Sequence, residues 1–193
     1  KESRRSELAA LRAELQNPLT SLKGRREALE KISEEVPDNG DVLVGLAFFN
    51  GTEEQWDKAL TYTRAFLKRS GRQSASRLRM GLLEAEILRY IGKREEARAG
   101  LEAYTRVTRD SWFRSISECL LGKRNVESLK KEAGMRPENL VTLYTALGLW
   151  AEGSGEKERA VEHYKEALES LMDTWHEFEF ARERLKRLRQ HSG

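Results

Sequence analysis

The stretch YTALGLWAEGSGEKERAVEHYKEAL, residues 144–168, decides the fold. Tyr144, Leu147, Gly148 and Ala151 recur at helical spacing on one face, and Gly153-Ser154-Gly155 then interrupts the pattern. Ala160, Tyr164, Ala167 and Leu168 resume it on a second helix. Gly148 and Ala160 are small for a physical reason: two antiparallel helices approach closely only where no bulky side chain stands between them. Tyr144 and Tyr164 are the rings expected to fill the space above and below that contact.

A helix pair of this size cannot bury its apolar face alone, so similar pairs are expected beside it. Ala28, Ala59, Ala97, Leu129 and Ala160 are the equivalent positions on successive second helices, 31, 38, 32 and 31 residues apart. The order of ring, Leu-Gly, small residue, ring and small residue in 144–168 closely resembles a tetratricopeptide repeat. That family repeats every 34 residues. Here several units are trimmed and one is extended, and Met172 stands where the family usually ends a repeat with proline. The resemblance implies an all-α fold, an α–α superhelix or solenoid of about five helix pairs plus a C-terminal capping helix. Its approximate repeats are 5–38, 41–71, 77–107, 110–137 and 141–171, with the capping helix over 173–190, in a single array over 1–193.

Composition agrees with that reading. Apolar residues make up 38% of the 193 and charged residues 35%, a polar balance that suits helical repeats with much exposed surface. Only three prolines occur, and long Ala, Leu, Glu, Arg and Lys runs favour helix. No apolar run approaches the roughly 20 residues of a membrane span. Lys1 is an abrupt start, read as that of a piece of a longer protein or of a mature chain. The lone Cys119 excludes an internal disulfide framework and does not separate a cytoplasmic from a periplasmic setting.

Taken in order, Leu8, Leu11 and Leu15 give a helix that Asn17-Pro18 ends, and Ser21 is a candidate cap for the next. Pro37 to Gly40 is a turn, and Asp41 is expected to cap the second unit. Asn50-Gly51-Thr52 is expected to turn the chain, with Thr52 and Gln55 resembling a capping box. The same three residues form a glycosylation acceptor, for which the turn is the plainer explanation. A basic, serine-rich link covers 70–77. The fourth unit is degenerate: its second helix runs only from Val126 to Ala133, and Leu129 replaces the small residue, so its helices should sit further apart or cross differently. In the last helix Leu171, Trp175, Phe178, Ala181, Leu185 and Leu188 are expected on the packed stripe, with Glu177 and Arg184 among the solvated residues.

No catalytic constellation is legible, and the chain is read as non-enzymatic. His163, His176 and His191 have no metal-ligand spacing partners, so neither metal nor cofactor is expected. Cys119 reads as a structural, half-buried thiol. Carboxylates interleave with Lys and Arg at three- and four-residue steps, as on solvated helix faces. The formal charge is +3, but Arg64 to Arg94 holds nine positive residues against Glu84 and Glu86, a net of +7. That stretch suits an acidic peptide, a phosphorylated partner or nucleic acid. RNA reading wants aromatics among the basic residues, and here the aromatics are needed for packing.

The resemblance therefore implies a scaffold that binds a protein, peptide or partner helix in the concave groove lined by the first helices. The groove residues it implies are Val44, Phe48, Arg79, Leu82, Glu86, Arg89, Arg114, Glu118, Thr145, Leu149 and Glu152. The family's carboxylate clamp for chaperone tails is absent, because Val44, Gly45, Phe48, Thr145, Ala146 and Leu149 stand in its places. Two other readings remain open: a regulatory or sensing segment of a larger enzyme or envelope complex, and an RNA-binding helical repeat using Arg64 to Arg94.

Overall fold

Every described residue lies in a helix or a short connection, and among them there is no strand. The computed structural model describes residues 2–17, 19–69, 71 and 73–190, without the side chains of 2–5, 7, 8 and 16. The expectations for the Leu8 side chain, Pro18, Ser70, Arg72 and His191 lie outside that description. The helices form two units, Lys1–Arg69 and Ser70–Gly193.

The first unit holds α1 (Glu2–Gln16), α2 (Leu22–Glu35), α3 (Gly40–Thr52) and α4 (Trp56–Lys68), each packed on the next. Its core joins Leu29 and Ile32 of α2 to Val42, Leu46 and Phe49 of α3, with Leu11 and Leu15 of α1 against them. Ser21 caps α2, its Oγ accepting from the Gly24 N–H at 3.1 Å. The cap of α3 is Asn39, whose Oδ1 accepts from the amides of Asp41 and Val42, so Asp41 falls in the first turn. The chain does not turn at Asn50-Gly51-Thr52. The Asn50 Nδ2 donates to the Leu46 carbonyl and the Thr52 hydroxyl to the Phe49 carbonyl, which ties all three residues into the buried end of α3. The turn comes at Glu53 to Gln55, and Gln55 caps α4 without a side-chain hydrogen bond.

The second unit holds α5 (Ala75–Tyr90), α6 (Arg94–Val107), α7 (Ser111–Leu120), α8 (Val126–Ala133), α9 (Pro137–Gly153), α10 (Lys157–Glu169) and α11 (His176–Gln190). Ser74, Asp110 and Asn125 cap α5, α7 and α8 with their side chains. Gly134 ends α8, but Pro137 opens α9, where its fixed φ and missing N–H cost nothing.

A repeat is visible in the turns. At α3–α4, α5–α6, α7–α8 and α9–α10, one left-handed residue donates its N–H three residues back and the next residue donates five back, a Schellman motif. The left-handed residues are Glu54, Gly92, Gly122 and Gly155, with φ of 62, 86, 76 and 78°. The five-back bonds run from Gln55 to Asn50, Lys93 to Leu88, Lys123 to Glu118 and Glu156 to Ala151, at 2.8 to 2.9 Å. Three of the four use glycine, the residue that enters this region without strain.

Inside the helix pairs, volume is conserved by exchange. In α9–α10 the Tyr164 ring lies over Gly148 so closely that a Cβ there would meet Cδ1 at 2.6 Å. Sixty-three residues earlier the same places hold Ala85 and Leu101. Where α9–α10 carry Tyr144 and Ala167, α5–α6 carry Gly81 and Tyr104, and the Tyr104 ring covers Gly81 with its hydroxyl bonded to the Leu78 carbonyl at 3.0 Å. The ring changes helix and the gap stays filled.

The fourth pair breaks the order. Its Leu129 is fully buried where the other pairs carry alanine, and α8 has eight residues. α5 and α9 pack directly along each other, and α7 packs mainly on α6 and α8, with lesser contact to α9 and α5. Gly153 permits the close approach, since a Cβ there would stand 3.0 Å from the backbone of Tyr90.

Candidate functional site

α11 packs on α10 and α9, and its polar side chains reach across α9 to α5. Near the start of α11, Glu177 forms an ion pair with Arg79 of α5 at 2.6 Å, off the angle of a hydrogen bond. Its carbonyl accepts from the Thr145 hydroxyl of α9 at 3.2 Å. The Arg79 guanidinium also lies 4.3 Å from the centre of the Trp175 ring. Two turns on, Arg184 grips Glu152 of α9 with Nε and Nη2 and donates to the Tyr90 hydroxyl of α5 at 3.1 Å. Tyr164 donates to the same Glu152 carboxylate at 2.9 Å, and its ring meets Phe180 edge-on.

These charges are buried. Arg184 is 1% exposed and Glu177 6%. A buried ion costs several kcal/mol in lost hydration, so each must be held by an opposite charge or a hydrogen bond. Arg184 meets that demand through Glu152 and Tyr90. Glu86 does not: it is buried beside Glu177, and its Oε1 has no hydrogen-bond partner. Burial, with the neighbouring Glu177 charge adding, pushes the Glu86 carboxyl well above the usual carboxylate range. Burial raises Glu177 too, and Arg79 pulls it back.

Of the expected groove residues, Arg79, Glu86, Thr145 and Glu152 come together in this polar layer under α11. Leu82 and Leu149 are core, and Arg89 lies over Trp150 at 4.4 Å with its Nε donating to the Ser154 hydroxyl. Arg114 is exposed and donates to the Thr108 carbonyl, and Glu118 is half-buried. In the first unit Phe48 is buried and Val44 half-buried in α3.

The stripe of α11 is rotated from the expected one. It is Glu177, Phe180, Ala181, Arg184, Leu185 and Leu188, spaced three, one, three, one and three. Phe178 is only half-buried, and Leu171 is 79% exposed. Glu177 and Arg184 were readable as members of that period; their charge assigned them to solvent. The positive stretch 64–94 is likewise partly engaged by the protein: Arg79 and Arg89 as above, Arg69 against Phe66, and Lys93 with Glu96 in an exposed pair.

Cys119 and His163 line a cavity of about 370 Å³ with Arg124 and Arg159. Burial pushes the Cys119 thiol up, so it stays protonated at neutral pH. Burial lowers His163, which stacks on Tyr144, and keeps it neutral. Neither group is thereby activated as a nucleophile. Among the described residues no cluster of His, Cys, Asp and Glu is placed to hold a metal. No described helix is long and apolar enough to cross a membrane.

The fold defines an all-α protein of repeated helix pairs. No protein-family model and no curated protein matches the chain.

Proposed function

We propose that this chain is a non-enzymatic protein-interaction module built from helix pairs of the tetratricopeptide type, and that the face of α9 and α10, with the polar edge of α5 beside it, is a seat for an amphipathic helix. The observation that carries the reading is α11 itself, which occupies the seat. It offers an apolar strip of Phe180, Ala181, Leu185 and Leu188, with an acid at one end and a base one heptad on. Helix-in-groove recognition uses that spacing of anchors. The recurrent Schellman turns and the exchanged Gly–Tyr contacts support the family assignment.

A partner helix of matching pattern would compete with α11. The same observation favours the regulatory reading, in which the module acts on a larger enzyme or envelope assembly when α11 gives way. Native co-purification tests the proposal, comparing the wild type with Phe180→Ala/Arg184→Ala at low and high salt. A protein captured at both salts, in greater amount by the variant, is expected. No captured protein with either form, or nucleic acid released by salt, refutes it.

A further inference from the structure

Three arginines converge on one cavity at the edge of the second unit. It is a half-open hollow of about 370 Å³ between the end of α5, the first turns of α6 and the α7–α8 turn. Arg89, Arg94 and Arg98 line it with Glu95 as the one carboxylate, and Leu121 and Trp150 form apolar wall. The local charge is therefore positive by two.

None of the three arginines is strongly neutralised by the protein. Arg89 is fixed in place by Trp150 and by its Nε bond to Ser154, a neutral acceptor. The bond through Nε leaves its two terminal nitrogens without a protein acceptor among the described residues. Glu156 lies near Arg89 and pairs with Arg159 at the surface, a solvated pair that offsets the Arg89 charge only weakly. Arg94 is exposed and has no ion pair among the described residues. Arg98 pairs with Glu102 at 3.3 Å, but both side chains are solvated, and such a pair is weak and easily exchanged. Burial and the neighbouring Arg94 charge both lower the pKa of Arg89. An anion between these groups would relieve that repulsion.

We propose that this cavity is an oxyanion-binding site for a phosphate or closely spaced carboxylates carried on a peptide. Arginine's planar donors match such groups two at a time. The apolar wall of Leu121 and Trp150 would take the carbon chain that carries the anion. One compact cluster suits a single anionic group better than a nucleic-acid backbone, which needs a track of cations along its length. The site lies outside the α11-covered face and does not depend on the interaction-module reading.

The test is isothermal titration of the whole chain at low salt with inorganic phosphate, a phosphoserine peptide, its unphosphorylated form and a short single-stranded RNA. Arg94→Gln and Arg98→Gln change exposed side chains and should leave the melting temperature alone. Each should weaken phosphopeptide binding at least about tenfold, as expected for loss of a charged hydrogen bond. Lys165→Gln, an exposed charge elsewhere, should leave it unchanged. Binding of inorganic phosphate with the same arginine dependence, and none of the peptide, would keep the anion site and overturn the peptide as carrier. The proposal fails if no probe binds, if Lys165→Gln is as damaging as Arg94→Gln, or if only RNA binds.

Discussion

Gly148→Ala puts one methyl group where the Tyr164 ring already lies. The new Cβ would stand 2.6 Å from Cδ1 and 3.0 Å from Cζ, well inside van der Waals contact. The ring has nowhere to go: it is fully buried, its hydroxyl is tied to Glu152, and Phe180 meets its edge. Overpacking of this kind costs about 1–3 kcal/mol. Alanine would recover up to about 1 kcal/mol in helix propensity, which blurs the reading of the single variant. Gly100→Ala supplies the correction. Gly100 is exposed in α6 with nothing near its missing Cβ, so that substitution should stabilise by about 1 kcal/mol. The difference between the two variants, in urea unfolding followed by circular dichroism, is then the packing cost alone. Gly148→Ala with Tyr164→Leu reproduces the Ala85–Leu101 combination of the third pair, and the double variant should lose less than the two singles together. Equal stabilities for Gly148→Ala and Gly100→Ala would refute the close Gly–Tyr contact as the determinant of that helix pair.

Arg184→Ala should cost about 3–5 kcal/mol by the same unfolding assay, because it leaves Glu152 charged in a buried place without its partner. Glu86 has a folded pKa above its ordinary 4.5, so the unfolded chain gives up that proton first and stability falls as pH rises past that value. Glu86→Gln should therefore match the wild type at about pH 4 and exceed it at about pH 8, read as urea midpoints. Asn50 is fully buried with its amide bonded inside α3, so intact mass after passage through a eukaryotic secretory pathway should show no glycan on it.

The helix pairs were legible because small residues and turn glycines are local signals. Gly92, Gly122 and Gly155 mark three of the four Schellman turns in the sequence itself; Glu54 does the same work without glycine, so the turn falls three residues beyond the expected Asn50-Gly51-Thr52. Asn50 and Thr52 looked like turn formers because their side chains bond to backbone, and here they do so from inside the helix. The direct packing of α5 on α9 was not legible, since no local pattern says which helices meet across a degenerate pair. The polar layer was missed for a different reason. Hydropathy assigns every Glu and Arg to water, and only the partners Arg79, Tyr90 and Glu152, far away in sequence, make Glu177 and Arg184 internal.

The bond from Arg184 to Tyr90 joins residues 94 apart in the chain. A stack whose members touch only their neighbours can open from one end, a pair at a time. Here the last helix is fastened to the first of its unit, so Ala75–Gln190 is closed into a loop of contacts. Release of α11 must break its ties to α10, α9 and α5 together, so the helix is expected to come away in one step rather than fray, and its redocking to show the slow closing of long chain loops that such distant contacts impose on folding.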